Sequence, residues 1–153
     1  YLRLLRPASP LPENCLVFES AKQAAEALAA EEGNLLLATG AKELAQFAAI
    51  SPERLYPRVL PTLESIAACE AANIPHRNII AMQGPFSFAL NQAMMEQFHI
   101  RWLVTKDGGA AGGFDEKASA ASAAGAQLVV IRRPPEQGET ASEVLKRCKE
   151  MIR

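Results

Sequence analysis

The residues of this chain that can do chemistry sit in short loops rich in glycine, small polar groups and cations. The segment Lys106-Asp107-Gly108-Gly109-Ala110-Ala111-Gly112-Gly113 places four glycines within six positions. Without Cβ atoms, such a turn lets backbone approach a ligand closely, and amides at a helix start can then face an anion. Lys106 adds a positive charge at a predicted strand end. In Gln83-Gly84-Pro85-Phe86-Ser87, Gly84 permits a tight strand exit and Pro85 presets the turn. Ser87 can cap the next helix or donate to an anion, and Asn91 follows one turn later. Thr39-Gly40 and Leu60-Pro61-Thr62 follow two further strands. Arg58, at a strand end, can hold a carboxylate or phosphate bidentately or form a surface ion pair. Lys117 lies one turn into a helix, where a solvated face is the plain alternative to a ligand contact.

Groups for nucleophilic or metal chemistry are scarce. The two histidines, His76 and His99, stand alone, and the three cysteines, Cys15, Cys69 and Cys148, are far apart. No metal site is expected, and a reducing cytoplasm suits this cysteine usage. G-x-S-x-G, H-E-x-x-H, the P-loop and the Rossmann G-x-G-x-x-G spacings are all absent. No catalytic acid, base or nucleophile can be assigned. Hydride transfer fits such a site, because a cofactor carries the chemistry and the protein orients it.

The loops need a scaffold, and hydrophobic patterning supplies one. Short apolar runs near Cys15–Phe18, Leu35–Ala38, Leu55–Val59, Ile79–Met82, Leu103–Thr105 and Leu128–Arg132 read as strands. Helical periodicity falls near Ala21–Glu31, Ala41–Ala48, Leu63–Ala72, Phe88–Phe98, Asp115–Ala124 and Ala141–Ile152. Runs such as Leu35-Leu36-Leu37 and Val129-Val130-Ile131 belong to strands covered on both faces. The expected fold is a doubly wound, mainly parallel, Rossmann-like α/β sheet in three layers. Ser20 with Gln23 and Thr140 with Glu143 are capping-box patterns. Phe86, Leu90, Ala93, Met94 and Phe98 form a helical stripe read as core. The glycine-rich loops all follow strands, the edge where open parallel sheets bind ligands.

A length of 153 residues fits one domain. The balance of 49% hydrophobic and 22% charged residues is that of a globular protein. A net charge of -1 argues against nucleic-acid or membrane-surface partners. No apolar run approaches the roughly 18 residues of a membrane span. Residues 1–14, with Pro7, Pro10 and Pro12, read as an interdomain linker, and residues 15–153 as the domain. The start at Tyr1 suggests a piece of a longer protein.

At these same loops the sequence resembles the precorrin-6A (cobalt-precorrin-6A) reductases. Thr39-Gly40-Ala41-Lys42-Glu43-Leu44, Arg58-Val59-Leu60-Pro61, Gln83-Gly84-Pro85-Phe86-Ser87 with Asn91, Lys106-Asp107-x-Gly109, Gly112-Gly113 with Glu116-Lys117, and Arg132-Arg133-Pro134 occur in the family's order. The opening Tyr1-Leu2-Arg3-Leu4-Leu5-Arg6-Pro7 looks like the family's interdomain stretch. One departure is Gly108, where the family usually has Ser.

The resemblance implies NADPH-dependent reduction of a double bond in a tetrapyrrole on the way to cobalamin. It further implies two Rossmann-like halves enclosing cofactor and substrate, of which this chain is the carboxyl-terminal one and the amino-terminal domain is missing. Thr39, Gly40, Arg58, Pro61, Gly84, Pro85, Phe86, Ser87, Asn91, Lys106, Asp107, Gly109, Gly112, Gly113 and Lys117 are the candidate cofactor- or substrate-binding residues. A non-enzymatic α/β nucleotide- or anion-binding module is the alternative. A phosphoryl-transfer enzyme would need a second acidic residue beside Asp107 to hold Mg²⁺.

Overall fold

The computed structural model describes residues 15–107, 114–132 and 148–149. Six strands form one sheet: β1 (Leu16–Phe18), β2 (Asn34–Ala38), β3 (Leu55–Val59), β4 (Ile80–Ala81), β5 (Ile100–Lys106) and β6 (Gln127–Ile131). Every pairing is parallel, and the spatial order is β1-β6-β5-β2-β3-β4. Among the described residues they are accompanied by the α-helices α1 (Ala21–Ala29), α2 (Leu63–Ala71), α3 (Phe88–Gln97) and α4 (Phe114–Ala124).

Consecutive strand residues feed opposite faces of the sheet, as the pleat requires. Leu35, Leu37, Trp102, Val104, Val129 and Ile131 pack with α1 residues Ala24, Ala25 and Leu28. Leu36, Leu103, Leu128 and Val130 pack on the other face with Met94 and Met95 of α3 and Ala120 and Ala121 of α4. Both faces of the central strands are therefore dry, and the apolar triplets need no polar alternation. The result is the expected three-layer, doubly wound fold.

The helix starts are capped by the residues at hand. Ser20 Oγ accepts from Gln23 N at 3.1 Å, and Gln23 Oε1 reaches back to Glu19 N at 3.2 Å. The return bond thus lands one residue before the position a standard capping box uses. Thr62 Oγ1 accepts from Ser65 N at 3.1 Å, and Ser87 Oγ from Leu90 N at 3.1 Å.

Several expectations are adjusted. The helix near Ala41–Ala48 is a 3-10 segment, Ala41–Phe47. Gly40 supplies no capping side chain there, and the buried residues Leu44, Phe47 and Ile50 recur every third position. Strand β5 starts at Ile100, before the predicted Leu103. The exposed Arg101 hid it by interrupting the apolar run. On α3, Ala93 of the expected stripe is exposed, and Asn91, Met94 and Met95 are buried instead. The linker 1–14, the loop 108–113, Arg133, Thr140 with Glu143, and most of the helix predicted over Ala141–Ile152 lie outside the described residues. No helix among the described residues is long and apolar enough to cross a membrane.

Candidate functional site

The chain runs β2, β3, β4 toward one edge of the sheet, whereas β5 lies on the other side of β2. The switch point of the sheet thus falls between β2 and β5, where flanking loops diverge and leave a crevice. A cavity of about 640 Å³ occupies this place. It takes Thr39 and Gly40 from beyond β2, Arg58 and Leu60 from β3 and its exit, Gly84 and Phe86 from beyond β4, Lys106 from β5 and Lys117 from α4. The described parts of the loops singled out in the sequence therefore share one edge of the sheet.

Arg58 is the centre of the site. It is only 8% exposed, yet it makes no ion pair with any described residue. Its guanidinium carbon lies 3.8 Å from the centroid of the Phe86 ring. Nη1 donates to Asn91 Oδ1 at 2.6 Å and lies 3.8 Å from Met94 Sδ. The Asn91 amide is itself fixed, since Nδ2 donates to the carbonyls of Ser87 at 2.9 Å and Phe86 at 3.3 Å. With its Nδ2 engaged by those carbonyls, Asn91 turns its oxygen to Arg58. Nε and Nη2 of Arg58 have no partner among the described residues, which leaves the bidentate edge of the fork unused.

Lys117 is the second cation. Nζ donates to Thr105 Oγ1 at 2.9 Å, and Thr105 is fully buried. No carboxylate among the described residues pairs with Lys117. Burial, and secondarily the Arg58 charge, lower its pKa to about 8, and burial alone lowers that of Arg58 to about 10. Thr39 adds a buried Oγ1 with no hydrogen-bond partner. Two desolvated cations and an unpartnered hydroxyl are costly in a bare protein. An oxyanion in the cavity would offset that cost.

The remaining candidates divide. Lys106 lines the cavity, but Nζ donates to Glu43 Oε1 at 2.7 Å, so its charge is already paired. Pro61 and Pro85 are exposed beside lining neighbours and do not line the cavity themselves. The Ser87 hydroxyl caps α3, and Asn91 stands behind Arg58. Asp107 is buried outside the cavity lining, with its amide donating to Ile131 O at 3.0 Å. Gly109, Gly112 and Gly113 lie outside the described residues. Arg132 faces Glu19 at 3.7 Å on an exposed turn. Sequence reasoning missed Met94, Thr105 and Glu43 as the partners of the three cations. Only Thr105 carried a signal, a hydroxyl beside Lys106 at a strand end. Among the described residues no group of His, Cys, Asp and Glu is arranged to hold a metal.

A parallel, doubly wound α/β sheet with a cation-lined crevice at its switch point defines a Rossmann-like fold. The chain belongs to the family described as precorrin-6x reductase CbiJ/CobK, whose model matches residues 1–149. It is 34% identical over 117 residues to the cobalt-precorrin-6A reductase of Priestia megaterium, covering 73% of this chain and 46% of that one. Against the cobalt-precorrin-6A reductase of Methanococcus maripaludis it is 38% identical over 116 residues, 74% of this chain and 45% of that one. The chain thus spans about half the length of these curated relatives. A solved structure of CobK precorrin-6A reductase superposes with a TM-score of 0.68 at 21% identity, over 97% of this chain and 61% of that one. That likeness bears on the fold.

Proposed function

We propose that this chain is the carboxyl-terminal half of an NADPH-dependent reductase. In this reading the enzyme saturates a double bond of precorrin-6A or cobalt-precorrin-6A during cobalamin biosynthesis in the cytoplasm. The other wall of the cleft comes from an amino-terminal half, of which the twofold length of the relatives is the sign. The observation that carries the reading is the buried Arg58 with Lys117, two cations without carboxylate partners among the described residues, in the switch-point cavity.

Both ligands are anionic: the tetrapyrrole bears carboxylates and the dinucleotide bears phosphates. The unpartnered Thr39 hydroxyl and the unused edge of Arg58 are donors suited to either. Bound NADPH supplies the hydride. The part of this chain is to bind and orient. Arg58, pinned by Phe86, Asn91 and Met94, offers a preformed fork, so little side-chain freedom is lost on binding. Gly40, at φ +82°, turns the chain out of β2 with no Cβ and leaves the wall beside Thr39 open. Leu60 and Met82, both partly exposed, give the rim an apolar surface for a flat macrocycle.

The test is complementation of the halves. NADPH oxidation with precorrin-6A should be absent with residues 1–153 alone and appear when the amino-terminal half is joined to them. Turnover by the isolated chain would refute the two-half reading.

A further inference from the structure

The reduction needs a proton donor, and the reductase reading alone assigns none. Saturating a C=C bond adds a hydride to one carbon and a proton to the other. Among the described residues lining the cavity, the ionisable groups are Lys42, Arg58, Glu64, Lys106 and Lys117. Lys42 and Glu64 are exposed on the outer wall. Lys106 is already engaged in its ion pair with Glu43 at 2.7 Å. The Arg58 guanidinium, at about 10, remains a weaker acid than Lys117. Lys117 is left, facing the cavity from the first turns of α4.

We propose that Lys117 delivers this proton and is a catalytic residue of the reductase; the proposal rests on the reductase reading. The geometry supports it in three ways. The ammonium is fixed from behind, because Nζ donates to Thr105 Oγ1 at 2.9 Å. The Thr105 hydroxyl in turn donates to Lys106 O at 3.4 Å, which leaves its oxygen to accept from Lys117. One Nζ–H is used in this way, and among the described residues nothing takes the other two.

The surroundings favour release of the proton. Around the cavity stand Arg58 of β3, Lys106 of β5 paired with Glu43, Lys42 of the 3-10 segment and Glu64 of α2. On the same helix Asp115 and Glu116 are exposed, and α3 offers only Asn91 and Met94 to Arg58. Burial and Arg58 bring Lys117 to about 8, near the working range of a general acid.

The step balances. The hydride forms one new C–H bond, and its electron pair comes from the reduced nicotinamide, which is oxidised. The π pair of the double bond forms the second C–H bond with the proton as the Nζ–H bond breaks. Lys117 is left as a neutral amine and takes a proton from water. Thr105 acts through Lys117 and is a positioning residue.

The experiment uses the complete two-half enzyme. Lys117→Arg keeps the charge but cannot donate. Precorrin-6A affinity, read by tetrapyrrole absorbance without NADPH, should stay within about threefold, while kcat should fall at least about 100-fold, the low end for a lost general acid. Wild-type kcat/KM should decline as pH rises past 8, and this limb should vanish in Lys117→Arg. Lys117→Gln should regain rate in proportion to added methylamine, and Thr105→Val should move the pH limb with KM unchanged. A kcat for Lys117→Arg within about threefold of wild type overturns the proposal. So does a Lys117→Gln enzyme that binds precorrin-6A but ignores methylamine. Failure of the reductase reading is distinguishable, since the wild-type enzyme would then oxidise no NADPH, and the proposal would fall with it.

Discussion

The Arg58 guanidinium carbon lies over the Phe86 ring, 3.8 Å from its centroid, and this contact joins the exit of β4 to the end of β3. The ring covers one face of the cation and excludes water from it. The turn holding Phe86 thereby sets where the fork of Arg58 can meet a ligand. Phe86→Leu removes the ring but keeps the volume apolar. Affinity for the anionic ligand of the two-half enzyme should weaken by about 0.5–2 kcal/mol, the value of a cation–π contact. Calorimetric titration reads this directly, and an unchanged Kd would show that the ring plays no part in binding.

Two glycines make opposite predictions. At Gly84 the backbone is ordinary, but an added Cβ would stand 3.2 Å from Phe86 Cε2. The sequence offered Gly84 as the residue that permits a tight strand exit. In the structure the first obstacle to a side chain there is the ring that seats Arg58. Gly84→Val should therefore lower ligand affinity while leaving the urea midpoint nearly unchanged. At Gly40 there is no atom within 4 Å of an added Cβ, but φ is +82°. Gly40→Ala should cost about 1–2 kcal/mol of stability through backbone strain alone. Equal urea midpoints for wild type and Gly40→Ala would count against that conformation.

Lys117 also predicts a pH dependence of stability. Its folded-state pKa, about 8, lies below the ordinary lysine value of 10.5 expected of the unfolded chain. Between these values the unfolded state binds more protons, so this group makes stability rise with pH from about 8 to 10.5. Below pH 8 the full penalty of a desolvated cation is present. Lys117→Met should accordingly stabilise the chain at pH 7, by about 1–2 kcal/mol, the usual gain when a functional group held at a cost is replaced. The gain should shrink as pH approaches 10.5. Urea unfolding at pH 7 and 10 checks both statements, and a destabilised Lys117→Met at pH 7 would contradict them.

Much of the scaffold was readable before the structure. Leu35-Leu36-Leu37 and Val129-Val130-Ile131 could only be strands dry on both faces, and that implied parallel pairing between helix layers. The edge that carries the cavity was readable too, because glycine and proline cluster after strands. What could not be read was pairing at a distance. Asn91 and Met94 lie 33 and 36 residues from Arg58, and on a helix their types read as capping or core. The local pattern at Ala41–Phe47 did not separate an α-helix from a 3-10 turn, since one turn of either buries Leu44 and Phe47. A surface ion pair for Arg58, or a solvated face for Lys117, predicts the same local sequence as a ligand contact. Only burial distinguishes them.

Lys106 separates a paired cation from an unpaired one. The sequence suggested a full charge-assisted contact with the ligand. With Glu43 at 2.7 Å the charge is already balanced. Lys106→Ala in the two-half enzyme should weaken ligand binding by less than about 1 kcal/mol, in the range of exposed ion pairs. A loss as large as that from removing Arg58 would show that Lys106 leaves Glu43 when ligand binds.

The central claim is that the switch-point cavity receives an anionic group of the reductase's ligands on Arg58. Its most direct test is the affinity of the two-half enzyme for precorrin-6A and for NADPH, measured separately in wild type and in Arg58→Met. One of the two affinities should fall roughly 10- to 150-fold, the equivalent of roughly 1.5–3 kcal/mol for a charge-assisted hydrogen bond. Arg58→Met with both affinities unchanged would contradict the account.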